Sequence, residues 1–174
     1  MLSNGIPVNT FFSNNLKKRF KDKKIKCSTM RTLEEDIKLG YKCEEELIPI
    51  LNNFFNDTFR NTKDLYRNEY CNYDFEGTNG LRIELKKRRN TYDDFPTTII
   101  PVHKTISIDL CPNIFIFNFS DGIYYTKWNY NRFKNYKTRM ILCERFNKTD
   151  YVEHYMIPIE DLIRIPIEDL IRID

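Results

Sequence analysis

Alanine and glutamine are absent from this 174-residue chain, and glycine and proline are scarce, at 5 and 7. So little Gly and Pro excludes collagen-like and low-complexity classes. Asn, Lys, Ile, Phe and Tyr are plentiful instead, the bias that AT-rich codons produce. No uninterrupted apolar run of about 18 residues occurs, so no transmembrane helix is expected. The opening MLSNGIPVNTFFSNN lacks an apolar segment behind a basic one, so no secretory signal is expected. The 5 Cys (27, 43, 71, 111, 143) are odd in number and widely spaced, and no C-x-x-C is present. That argues against a disulfide framework or a cysteine zinc site and for a reducing compartment, cytoplasm or nucleus. His103 and His154 show no metal-ligand spacing and read as ordinary core or surface residues.

What is present suffices for one domain of ordinary size with arms. Hydrophobic residues make up 41% and charged residues 30%, enough apolar surface for a core. The net charge of +3 conceals a gradient. Residues 1–31 carry eight Lys/Arg against Asp22, and residues 150–174 carry seven Asp/Glu against Arg164 and Arg172. The cluster Lys17, Lys18, Arg19, Lys21, Lys23, Lys24 is a candidate phosphate-contacting arm or nuclear address, or equally a solvated terminus. The expected organisation is a basic arm over 1–31, a folded domain over 32–157, and a C-terminal extension over 158–174.

Hydrophobic spacing predicts the elements. Thr32 with Glu35 has capping-box spacing. From there to Phe59, Leu47, Ile50, Leu51, Phe54 and Phe55 form one helical stripe, with Gly40 a possible break and Pro49 a possible kink. Tyr70–Lys86 alternates with period 2 on both sides of Gly77-Thr78-Asn79-Gly80, which predicts a hairpin. A three-residue loop ending on a left-handed Gly80 sets Phe75 opposite Ile83 and Asp74 opposite Glu84, with all apolar side chains on one face. Residues 99–110 read as a helix starting at Pro101. Ile114–Phe119 and Ile123–Trp128 read as a buried hairpin, Asn129–Tyr136 as a short helix, and Tyr136–Cys143 and His154–Ile159 as strands. The tandem PIEDLIRI of Pro158–Ile165 and Pro166–Ile173 reads as two helical turns, the second dispensable.

One constellation carries chemistry. Glu84 and Lys86 lie two apart on a strand and so share a face. Opposite Asp74 they bring together two carboxylates and an ammonium. Cross-strand carboxylates repel unless a cation neutralises them, and hard oxygen donors suit Mg²⁺. An exposed strand face with ordinary alternating charges is the competing reading.

Asp74, then Glu84-x-Lys86, preceded by the helix Gly40–Leu47 and followed by Lys87, Arg88 and Arg89, resembles the PD-(D/E)XK nuclease superfamily over roughly residues 40–128. Asn72-Tyr73 precede Asp74, so the superfamily's proline is missing. The resemblance implies an α/β (α+β) restriction-endonuclease-like core, a central mixed sheet flanked by helices. It also implies a Mg²⁺-dependent endodeoxyribonuclease, with Mn²⁺ able to substitute. Asp74 and Glu84 would hold the metal and Lys86 would assist the attacking water. Glu44 would complete the site, with Glu45 or Glu46 as alternatives. Lys87, Arg88, Arg89 and the 17–24 cluster would contact DNA, and a member cutting duplex DNA would act as a homodimer. A nuclease fold without activity that binds nucleic acid, and a structural or interaction protein, are the alternatives.

Overall fold

The computed structural model describes residues 33–67, 71–107, 111–145 and 148–167. The basic cluster of residues 17–24, Thr32, Tyr70 and most of the second PIEDLIRI copy therefore lie outside the described residues. Contacts group the chain into two units, Met1–Asp36 and Ile37–Asp174. Of the first, only the opening of a helix is described; the sheets and the core belong to the second.

That helix, α1 (Leu33–Phe55), runs unbroken through Gly40 and Pro49. Leu47 and Leu51 are fully buried, with Ile48, Ile50, Phe54 and Phe55 packed beside them, which is the stripe that the spacing predicts. Asn56 ends the helix in the left-handed region at φ 49°, a conformation that Asn tolerates better than most residues.

Strand β1 (Phe59–Asn61) and a helical turn α2 (Thr62–Tyr66) come next. β2 (Phe75–Gly77) and β3 (Arg82–Lys87) form the hairpin. Its register pairs Phe75 with Ile83 and Glu76 with Arg82, as the apolar alternation requires. Gly80 has φ +77°, and the Gly77 and Gly80 amides close the loop onto Leu81 and Gly77 carbonyls at 2.9 Å. A side chain at that φ is strained, which is why the loop ends on glycine.

The structure departs from the sequence-based expectation in several places. The strand before Asp74 is β1, which the hydrophobic spacing does not predict. Cys71–Asp74 do not extend β2, although the Thr62 amide donates to Asp74 O (2.9 Å) in line with the β1–β2 register and the Thr62 hydroxyl donates to Tyr73 O (2.7 Å). The helix expected over 99–110 is instead β4 (Thr97–Pro101) followed by a 3₁₀ turn (Val102–Thr105). β-branched Thr97, Thr98, Ile99 and Ile100 favour the strand, and β4 finds a partner distant in sequence.

β5 (Ile114–Asn118) and β6 (Ile123–Lys127) pair antiparallel, and a short helix α3 (Tyr130–Phe133) comes after them. β7 (Thr138–Arg145) and β8 (Lys148–Pro158) form a second hairpin. The first PIEDLIRI copy is not an α-helical turn. It makes a 3₁₀ turn (Ile159–Asp161) and strand β9 (Ile163–Arg164), with Leu162 and Ile165 buried.

The chain is thus a mixed α+β protein with few helices. One sheet has the order β1-β2-β3-β5-β6-β9, the other β4-β8-β7. β3 and β5 are parallel; every other pairing is antiparallel. A parallel pair requires a crossover, and here the crossover carries β4 into the second sheet. β5 is covered on both faces. Ile114 and Ile116 join Leu47, Leu51, Phe75 and Ile83, whereas Phe115 and Phe117 join Ile100, Phe133, Ile157 and Leu162. Phe75 is 0% exposed at the centre of the first cluster. Phe75→Ala is expected to destabilise the protein by about 3–5 kcal/mol, measurable by urea denaturation, and a loss under about 1 kcal/mol would contradict this packing.

Candidate active site

The site lies on the face of β3 that looks toward the second sheet. In the parallel ladder Glu84 pairs with Phe115 and Lys86 with Phe117, the two phenylalanines of that face. Ile83 packs on the opposite side against α1. Alternation along β3 therefore carries the two polar side chains into a largely covered layer.

Glu84 is buried, its side chain 3% exposed. A carboxylate in such a place needs compensation, and it has two cations. Lys86 Nζ bonds Oε1, two residues along the same strand. Lys104 Nζ donates to Oε2 at 3.1 Å and to Asn72 O at 3.0 Å. Lys104 comes from the 3₁₀ turn after β4, 20 residues away in sequence, and sequence reasoning misses it. The one signal for it is the turn that Pro101 starts, which sequence alone extends into a longer helix.

Asp74 stands just before β2, outside its paired residues. Its amide donates to Ile83 O at 2.9 Å, and its Oδ2 accepts the Leu85 amide at 2.7 Å. Oδ1 accepts no hydrogen bond among the described residues. Burial raises the Asp74 pKa first and the Glu84 charge second, to about 7; the Leu85 amide and Lys86 oppose this, and Glu44 adds a further increase. Asp74 therefore senses both other acids of the expected set, and its charge is the one left without adequate compensation.

Glu44, on α1, is turned to a different pair. Asn61 Nδ2 donates to its Oε2 at 2.6 Å, and Lys63 Nζ lies 2.9 Å from the same oxygen. Lys63 also sits 3.9 Å from the centre of the Tyr41 ring. Glu45 and Glu46 are exposed. The sequence-predicted acids are thus neighbours in charge but not one ligand cluster: among the described residues no group of three or more His, Cys, Asp or Glu is placed to hold a metal ion.

The basic residues after β3 divide. Lys87 and Arg89 are exposed. Arg88 is half-buried, and its Nε donates to Thr98 Oγ1 at 3.1 Å and its Nη2 to Ile99 O. Burial lowers its pKa to about 10. It ties the end of β3 to β4.

His154 is buried with Nδ1 2.8 Å from Val152 O, and His103 is exposed. Cys43, Cys71, Cys111 and Cys143 are free thiols. Among the described residues no helix is long and apolar enough to cross a membrane. Compared with protein-family models, with curated proteins and with solved structures, the chain matches none.

Proposed function

We propose that the protein is a Mg²⁺-dependent endodeoxyribonuclease with a PD-(D/E)XK-like core. The observation that carries this reading is that Glu84 and Lys86 share one covered face of β3 while Asp74, bonded to the Leu85 amide between them, has its pKa raised by burial and the Glu84 charge to about 7. The topology supports it: α1, the antiparallel run β1-β2-β3, and β5 parallel to β3 come in the order that the resemblance implies. The crossover departs from that order, carrying a strand and a 3₁₀ turn where a helix is expected.

The residues fit a hard divalent cation. Asp74 Oδ1 is an oxygen without a hydrogen bond among the described residues, and Glu84 offers a second carboxylate. Mg²⁺ commonly takes one or two protein carboxylates and keeps its waters. Bound there, it would supply charge for the phosphate and an acidified water. Asp74 and Glu84 would hold it. Both Glu84 oxygens carry lysines, and each oxygen keeps a second lone pair that a cation would take. Lys86 is the group able to orient a water or to stabilise negative charge developing on phosphate. Lys104 holds Glu84 in place through the second oxygen. Lys87, Arg89 and the basic cluster at 17–24 would contact flanking phosphates, and a cut in both strands would come from a homodimer.

A second reading rests on that same double pairing. A glutamate neutralised by two lysines is also how a buried structural ion cluster is built, and such a chain would bind nucleic acid without cutting it. Supercoiled plasmid incubated with Mg²⁺, Mn²⁺ or EDTA decides between them. The expected result is nicked and linear product with either metal and none in EDTA. Binding in a salt-dependent gel shift with no cleavage in any metal would establish the second reading.

A further inference from the structure

The loop between β3 and β4 borders an open pocket of about 230 Å³. Its polar lining includes Arg88, Asn90, Thr97 and Thr98, and its apolar lining includes the rings of Tyr92, Phe95 and Phe119. Arg88 is a partly buried cation whose partners are all neutral: a threonine hydroxyl, a carbonyl, and the Phe117 ring, 5.6 Å from its Cζ. Among the described residues no carboxylate pairs with it. The nearest loop has acids, but Asp94 accepts the Thr91 amide at 2.8 Å and Asp121 the Tyr92 amide at 2.9 Å. Burial is the sole cause of the Arg88 shift, so no acid stands close enough to offset its charge. Desolvating a guanidinium without a counter-charge is costly to a marginally stable domain, which makes an anion the missing partner.

The walls restrict what kind of anion. Tyr92 is stacked on Tyr124, ring centres 4.1 Å apart, and its hydroxyl is anchored to Ile159 O at 2.6 Å. Phe119 meets Tyr92 edge to face at 5.9 Å. These rings are held by the fold. Phe95 is 60% exposed and free of such anchors, a ring able to lie on a flat ligand. Thr98 Oγ1 accepts from Arg88 Nε, which leaves its own proton to donate. Nε and Nη2 are already bonded, so Arg88 Nη1 and the Thr98 hydroxyl are the donors left for a phosphate, and aromatic walls suit a flat organic group.

We propose that this pocket binds a phosphate monoester of a planar group. The phosphate would sit on Arg88 and Thr98, and the ring would lie along Tyr92, Phe95 and Phe119. A free nucleoside monophosphate and the 5′-phosphorylated end of a DNA strand present that same chemistry. The site is independent of the carboxylate pair, so the test is run in EDTA, without metal or cleavage. Thymidine 5′-monophosphate, thymidine, inorganic phosphate, and a tetranucleotide with and without 5′-phosphate are titrated by calorimetry at constant ionic strength. The monophosphate or the phosphorylated tetranucleotide is expected to bind at least about tenfold tighter than its unphosphorylated counterpart. Whichever of the two binds identifies the source, and inorganic phosphate alone should bind more weakly than either. Arg88→Met, its fold confirmed by circular dichroism, is expected to lose at least about tenfold in affinity. Thr98→Val should lose less. No phosphate-dependent binding by the wild type, or equal binding by wild type and a folded Arg88→Met, overturns the proposal.

Discussion

Asp74→Asn raises the melting temperature of the metal-free protein at about pH 8, where the wild-type carboxyl would be ionised. The sign comes from the direction of the shift. The folded pKa, about 7, lies above the ordinary value of 3.8. An acid raised in this way costs nothing below its unfolded pKa, where both states are protonated. It loses stability progressively as pH rises between the two values, and the full penalty is present above about pH 7. On that range the penalty is on the order of a few kcal/mol. The amide of Asn still offers an oxygen to the Leu85 N–H that Asp74 Oδ2 accepts, so the substitution removes charge without opening a hydrogen bond. The difference between mutant and wild type should therefore be near zero at about pH 3 and grow toward about pH 8.

Excess Mg²⁺ is expected to reverse the order at the higher pH. The wild type gains binding free energy in proportion to the logarithm of metal over its dissociation constant, and the mutant recovers only part of it. Melting curves of both proteins at the two pH values, with EDTA and with Mg²⁺, measure all four corners. Equal melting temperatures at about pH 8 in EDTA would show that Asp74 carries no uncompensated charge. A mutant advantage that Mg²⁺ leaves untouched would show that the two carboxylates do not share a cation.

Lys86→Met and Glu84→Gln are each expected to reduce cleavage by about a thousandfold or more, equivalent to ~4 kcal/mol of barrier. Lys86 Nζ bonds a glutamate whose side chain is 3% exposed, so little water is present to replace either group. Met keeps the length of the lysine stem and Gln the shape of the carboxylate, which limits the damage to chemistry. Glu84 keeps Lys104 when Lys86 is removed, so its charge is not left wholly unpaired. Lys104→Met should cost less, about tenfold, because its ammonium acts through Glu84 and Asn72 O. Single-turnover rates on plasmid, with circular dichroism to confirm folding, distinguish these effects. A folded Lys86→Met variant that cuts at near the wild-type rate would remove Lys86 from the chemistry and return the lysines to a structural role.

Local pattern determined a large share of what the structure contains. The stripe through Leu47 and Leu51 specified α1, because spacing of three and four residues can bury only one face of a helix. The alternation around Gly77–Gly80 specified the β2–β3 register, because a one-residue slip would turn Ile83 to the polar face. Aromatic residues at both parities in 114–125 marked a strand pair covered on both sides. That register also placed Glu84 and Lys86 on one face. Tertiary contacts decided the rest. Residues 97–101 became a strand because β8, more than 50 residues later in the chain, pairs with them. The first PIEDLIRI copy became β9 because β6 presented an edge. Lys104 reached Glu84 only through that crossover, and Arg88 turned inward only because β4 supplied Thr98 and Ile99 O. The Asp74 carboxylate met the Leu85 amide only once β2 and β3 had paired. Period and turn chemistry are properties of neighbours in sequence, and a chain displays them at any length. Which distant strand fills an edge, and which lysine then neutralises a buried carboxylate, depends on surfaces that exist only after the two sheets have met.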